Sequence, residues 1–213
     1  IVLVYSQYLE AGLVPVALAL EEHGYQRASK KNTNLFRETN TSSNKGSYAM
    51  ITGDLKYSKS NKDELYIINS ETNLHGNKCK VVLISQAGSE GLDFKNLRQV
   101  HVLEPWYNLN RIDQIVGRAI RNCSHKQLPL KKRNCQIFLH ASILDNDEES
   151  IDLMMYRMAE QKATKIGAVQ KVLKSVSVDC ILNASQTQFA NLHQEIEIKL
   201  SNKKQIVFDI ADK

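Results

Sequence analysis

Short apolar segments recur along this chain at Ile1 to Tyr5, Ser47 to Thr52, Lys80 to Ile84, Gln99 to Leu103 and Gln136 to His140, separated by stretches with helical spacing or glycine. A short segment that is apolar nearly throughout, rather than at every second position, has to be covered on both faces. Strands of that kind alternating with helices build βαβ units, because a parallel neighbour is reached only through a crossover long enough to hold a helix. The expected architecture is α/β: a parallel sheet with helices on both faces.

Pro15 suits the first turn of a helix ending near Glu22, and Gly24 suits the left-handed stop after it. From Gln26 to Gly46 the chain is Asn, Ser, Thr, Lys and Arg with only Leu35 and Phe36 to bury, which predicts a mobile basic insertion outside the core. Asn61 to Asn69 reads as a short helix with an Asn cap. After the last strand, Asn146 to Glu149 forms an acidic hinge and Ser150 can cap a helix running to about Lys174. Its expected buried positions are Leu153, Met154, Met158, Ile166, Val169 and Val172. A second apolar cluster, Val176 to Leu182, is expected to pack near its end, and Ile206 to Ile210 to form a strand or edge segment. The domain reading is a lobe over 1–145, with its insertion at 26–46, and a C-terminal helical extension and tail over 146–213.

The 213 residues, 42% hydrophobic, suffice for a real core. Cys79, Cys123, Cys135 and Cys180 form no C-x-x-C pair, so neither a zinc site nor a disulfide framework is expected, and reduced thiols fit a cytosolic setting. No apolar run approaches the ~20 residues that cross a bilayer, so no membrane partner is expected. The chain opens without Met, directly inside a strand, and reads as a piece of a longer protein. A formal charge of +5 is modest, but Arg27, Lys30, Lys31 and Arg37 cluster, as do Lys126, Lys131, Lys132 and Arg133, and Lys199, Lys203 and Lys204. Any one such cluster is ordinarily a solvated surface.

Two stretches carry the chemistry. In Leu109 to Arg121 (LNRIDQIVGRAIR), Leu109, Ile112, Ile115, Val116, Ala119 and Ile120 fall on one side of a helix, and Arg111, Gln114, Arg118 and Arg121 on the other. A stripe of guanidinium groups is matched to carboxylate or phosphate oxygens, although such a helix can also simply be solvated. In the loop after Ile84, SQAGSEGLDF, the glycines allow close backbone approach, Ser85 offers a hydroxyl and Asp93 an acceptor. Taken on its own, that loop is better explained as a tight turn with a helix cap. In a parallel sheet, ligands gather at the carboxyl ends of the strands, where both stretches lie.

Their order along the chain resembles the second RecA-like lobe of superfamily 2 helicases and translocases. VLVYSQY (Val2 to Tyr8) looks like motif IV, ITGDL (Ile51 to Leu55) like the small motif after it, SQAGSEGLD (Ser85 to Asp93) like motif V and QIVGRAIR (Gln114 to Arg121) like motif VI. The turn LEPWYNLNRIDQ is similar to chromatin-remodelling ATPases and their viral relatives rather than to DEAD-box helicases. GRAIRNCSHKQLP, then KKR and a strand, then a helical region ending VDCILN, resembles nucleoside triphosphatase I and the early transcription factor small subunit of poxviruses and other large cytoplasmic DNA viruses. The similarity covers Ile1 to about Asn183 and is silent on 26–46 and on the tail after Ser185.

The resemblance implies that Arg118 and Arg121 reach the γ-phosphate of ATP across an interlobe cleft, with Arg121 as arginine finger and Gln114 in support. It implies that Asp93 accepts from the ribose, that Gly91 lets the backbone come near, and that Ser6, Gln7, Ser85 and Gln86 hold a nucleic-acid backbone, DNA in this group. Trp106 is either a stacking residue near that track or a packed aromatic. No G-x-x-x-x-G-K-[ST] and no D-E-x-H or D-E-A-D occurs in these 213 residues, so the phosphate cradle and the carboxylates that hold Mg²⁺ belong to an N-terminal RecA-like lobe outside them. The chain alone is expected not to hydrolyse ATP. Its expected setting is viral transcription, in the virion and host cytoplasm. The competing reading is a degenerate lobe that docks viral RNA polymerase or initiation factors through Trp106, the helices after Ser150 and the Lys126 to Arg133 loop. A small-molecule Rossmann enzyme would need a G-x-G-x-x-G loop after the first strand, and none is there.

Overall fold

The computed structural model describes residues 1–30, 33–36, 45–86, 92–145 and 148–179, together with the backbone of two further strands, 195–199 and 205–209. Residues Ile1–Glu160 form one compact unit and Gln161–Lys213 a second. The first holds a six-stranded sheet of β1 (Val2–Tyr5), β2 (Tyr25–Arg27), β3 (Gly46–Ile51), β4 (Val81–Ile84), β5 (Gln99–Val102) and β6 (Gln136–Leu139), in the order β2-β3-β4-β1-β5-β6. Every neighbouring pair runs parallel; Tyr5, for example, lies level with Ile84 on one side and Val102 on the other. This is the parallel α/β sheet expected from the apolar runs, in agreement with the RecA-like lobe that the resemblance implies.

Alternate side chains serve opposite faces. Leu3, Tyr5, Ala49, Ile51, Val82, Ile84 and Val100 meet Ile68 of α2 (Asn61–Asn69) and Ile115 and Ala119 of α3 (Leu109–Ala119). Val4, Tyr48, Met50, Val81 and Leu83 meet Ala17 of α1 (Val14–Glu22) and Leu13, in the wide turn before it. Pro15 lies in the first turn of α1, and Gly24, at φ 90°, ends it.

Three expectations fail. The base of the 26–46 stretch is part of the sheet rather than an insertion outside the core. Arg27, on edge strand β2, is buried: its Nε and Nη2 donate to Glu64 Oε1 at 3.1 and 2.9 Å, and its Nη1 to the Tyr57 carbonyl at 3.2 Å. Glu64 Oε2 accepts from the Met50 amide at 2.9 Å. Nearby, the Glu21 carboxylate accepts from the amides of Leu35 and Phe36, each at 2.8 Å, and from the Tyr48 hydroxyl at 2.6 Å. A polar sequence can sit inside when each charge has its counter-charge and its hydrogen bonds there with it. Residues 31–32 and 37–44 lie outside the described part.

The cap of α2 is Ser60, one residue earlier than expected; Asn61 instead ties the helix start to the Thr52 carbonyl at 2.7 Å. On α4 (Ile151–Ser175), Ser150 is the expected cap, its Oγ accepting from the Leu153 amide at 3.2 Å, but the apolar positions are not buried. Leu153, Met154 and Met158 are exposed in the first unit, where Ala159 alone of the helix is buried. In the second unit Ile166, Val169 and Val172 are exposed as well, as are Val176 and Val178 after the helix end. The spacing of those residues is helical, but within the described residues no element covers them. Residues 180–182 lie outside the described part. The second unit also contains an antiparallel hairpin of β7 (Glu195–Lys199) and β8 (Gln205–Asp209), the latter matching the expected late strand to within a residue.

Candidate nucleotide and nucleic-acid site

The candidate residues converge because α3 is fixed by its apolar side. Ile112, Ile115 and Ala119 are buried, whereas Ile120, assigned to that side, is exposed just past the helix end. The anchor holds Arg118 half-buried in the last turn, where a cation complements the helix dipole. Its Nη1 donates to the Leu92 carbonyl at 3.4 Å. Arg121, in the loop beyond, pairs with Asp93 at 2.5 Å, both side chains about half exposed. Gln114 is exposed on the outer face of α3.

Asp93 is itself positioned. Asn69, the last residue of α2, donates to the Asp93 carbonyl at 2.8 Å and accepts from the Lys95 amide at 3.0 Å, while Phe94 and Leu97 plug the loop into the core. The two arginines and the carboxylate therefore share one edge. A cavity of about 360 Å³ beside them is lined by Asp93, Lys95, Arg121, Asn122, Ser124 and Lys126, predominantly cationic. A larger hollow of about 790 Å³ runs along α2 between Lys62 and Lys78 and contains none of the candidate residues.

At the ends of β1 and β5 the arrangement differs from expectation. Ser6 is wholly buried and its hydroxyl is engaged within the chain: it donates to Glu104 Oε1 at 2.9 Å and accepts from the Tyr8 amide at 3.0 Å. A Cβ on Gly12 would collide with that hydroxyl, so glycine is what lets the turn pass. The Gln7 amide also donates to Glu104. Ser6 thus shapes the loop and leaves Gln7, half-buried, as the outward member of the pair. Burial raises the Glu104 carboxyl above its ordinary value, and the bonds from Gln7 and Ser6 oppose that shift. Glu104 was not among the sequence candidates; its position at the carboxyl end of a strand was the available signal.

Ser85 is buried, its amide donating to the Ile51 carbonyl at 3.2 Å, and Gln86 is exposed beside it. Gly91 lies outside the described residues. Trp106 is half-buried, edge-on to Tyr107, with the guanidinium carbon of Arg111 4.1 Å from its ring centre. Among the described residues no group of three or more His, Cys, Asp or Glu side chains could hold a metal ion, and no helix is long and apolar enough to cross a membrane.

Residues 23–123, which include α3 and the Asp93 loop, match the helicase conserved C-terminal domain family. Those residues form a helicase C-terminal domain. A termination factor NPH-I homolog of African swine fever virus is 32% identical over 218 residues, covering 85% of this chain and 31% of that protein. A protein of Acanthamoeba polyphaga mimivirus, provisionally named an ATP-dependent RNA helicase, is 36% identical over 123 residues, 54% of this chain and 15% of that protein. The crystal structure of the C-terminal part of the Fun30 ATPase domain is similar with a TM-score of 0.48 and 15% identity, over 74% of this chain and 38% of that one. The chain therefore spans about a third or less of the length of these two viral relatives.

Proposed function

We propose that this helicase lobe supplies the arginine side of an ATP site in a nucleic-acid-stimulated motor that acts in viral transcription. The observation that carries the reading is the convergence of Arg118, Arg121 and Asp93 on one edge of the sheet beside a cationic cavity. Guanidinium groups there suit the oxygens of a terminal phosphate, and a carboxylate suits ribose hydroxyls. The groups fit half of a nucleotide site. The other half, with the Mg²⁺ carboxylates, is assigned to an N-terminal RecA-like lobe of the longer protein. Arg121 serves as arginine finger, neutralising charge on the transferred phosphoryl group, with Arg118 and Gln114 beside it. Arg121 pairs with Asp93, an exposed pair worth about 0–1 kcal/mol that ATP can displace easily.

The track is DNA, held through its backbone by the main chain and side chains near Gln7 and Gln86 and by Trp106. The African swine fever virus relative is named a termination factor, which supports a role in termination; the proposed setting is the virion and host cytoplasm. The test is ATP hydrolysis with and without DNA. The longer protein is expected to turn over ATP and to be stimulated by DNA, and the 213-residue chain to turn over none. Robust hydrolysis by the chain alone would remove the half-site assignment.

One observation favours the second reading, docking on viral RNA polymerase: Leu153 and Met158 on α4 lie exposed with no cover among the described residues. If that surface binds polymerase, Leu153→Lys with Met158→Lys abolishes co-sedimentation with it while ATP turnover stays at the wild-type level; retained co-sedimentation discards the reading.

A further inference from the structure

We propose that Arg111 is a latent phosphate contact for a nucleic-acid strand, released from Trp106 when the strand binds, and that the vacated indole face then takes a base. Arg111 stands in the first turn of α3 with its guanidinium stacked on Trp106 at 4.1 Å. Its Nη1 is buried and has no hydrogen-bond partner. The hydroxyl of Tyr5, in the same pocket, is also buried without one. A cationic donor left without an acceptor is an expensive thing to bury, and contact with an aromatic face offsets only part of that cost.

The pocket has one carboxylate, Glu104, and it is already engaged by Ser6 and the Gln7 amide. Among the described residues that line the pocket no further anion faces Arg111, and an acceptor supplied by a bound strand would complete it. The pocket lies at the carboxyl ends of β1 and β5, beside Gln7, on the edge assigned to the nucleic-acid track. An isolated carboxylate would satisfy the guanidinium and leave the indole bare. A nucleotide strand supplies both a phosphate for the cation and a flat base for the ring, so both halves of the pair gain a partner.

The inference rests on the reading of the lobe as part of a nucleic-acid motor, and the experiment separates the two. Binding of a fluorescein-labelled single-stranded DNA oligonucleotide to the full-length protein is followed by anisotropy across a range of salt concentrations. Arg111→Met is expected to weaken binding about tenfold at physiological salt and to reduce the slope of log affinity against log salt by about 1, the signature of one lost phosphate contact. Arg111→Lys keeps the charge and the wild-type slope. Trp106→Ala weakens binding several-fold with the slope unchanged, since it removes stacking and no charge. A wild-type slope in Arg111→Met, whatever the affinity, overturns the proposal and leaves Arg111 facing a protein surface or serving only to hold Trp106. A wild-type protein that fails to bind the oligonucleotide overturns the motor reading itself, and this proposal with it.

Discussion

Among the described residues, a methyl group added at Gly117 would meet no atom within 4 Å beyond its chain neighbours and its own helix backbone. No packing among the described residues asks for glycine there, and glycine inside a helix costs about 0.5–1 kcal/mol relative to alanine. Gly117→Ala should therefore raise the unfolding free energy of the chain by about that amount in urea titration. In the full-length protein it should lower ATP turnover, because the added methyl stands beside Arg118 on the approach to the nucleotide. Opposite signs in the two assays mark a residue kept for its ligand; a variant active as wild type leaves the glycine without explanation. Glu64 belongs to the opposite category. Glu64→Ala strands the buried Arg27 guanidinium and should cost about 3–5 kcal/mol, read from the denaturation midpoint. These two cases show what was legible at this scale. Arg118, Arg121 and Asp93 could be named from sequence because each sits in a short contiguous motif, QIVGRAIR or SQAGSEGLD, that resembles one of a known family. Arg27, Glu64 and Glu21 could not, since Arg27 and Glu64 are 37 residues apart and a charge in a polar stretch reads as solvated until its partner is seen.

The central strands were readable as elements because burial on both faces leaves an unbroken apolar run, and β2 was not, because its inward side chain is an arginine. Helix α3 links element to function: Ile115 is buried and fixes the face from which the arginines project. Ile115→Ala should cost about 2–5 kcal/mol and impair ATP turnover of the longer protein through displacement of Arg118 and Arg121. On the β5–β6 pair, His101 Nδ1 and His140 Nε2 are 3.0 Å apart, with Phe138 stacked on His101. Burial, and secondarily the neighbouring His140, hold the proton affinity of His101 below its ordinary value of 6.5. The unfolded chain takes up a proton near pH 6.5 while the folded lobe resists to lower pH, so stability present above 6.5 is lost as pH falls below it. Denaturation midpoints at pH 7.5 and 5.5 should differ in that direction, and His101→Asn should flatten the dependence; an equally steep fall in the variant would place the titration elsewhere.

The molecule as a whole presents unfinished surfaces. Ile143, Leu153 and Met158 are exposed, as are Ile137 and Leu139 on edge strand β6, and the chain spans 31% of its African swine fever virus relative. Arginines without a phosphate cradle and apolar side chains without a cover are both explained if the lobe works against other parts of a longer protein. For the proposed ATP site the sequence signal is local, the absent G-x-x-x-x-G-K-[ST]. For α4 there is no such signal, since helical spacing says that residues share a face but not what lies against it. The central claim, that Arg121 completes an ATP site from this side of the cleft, is tested most directly by DNA-stimulated ATP hydrolysis of full-length Arg121→Ala. Turnover should fall by roughly 10³-fold or more, with DNA affinity close to wild type; turnover within a few-fold of wild type would contradict the claim.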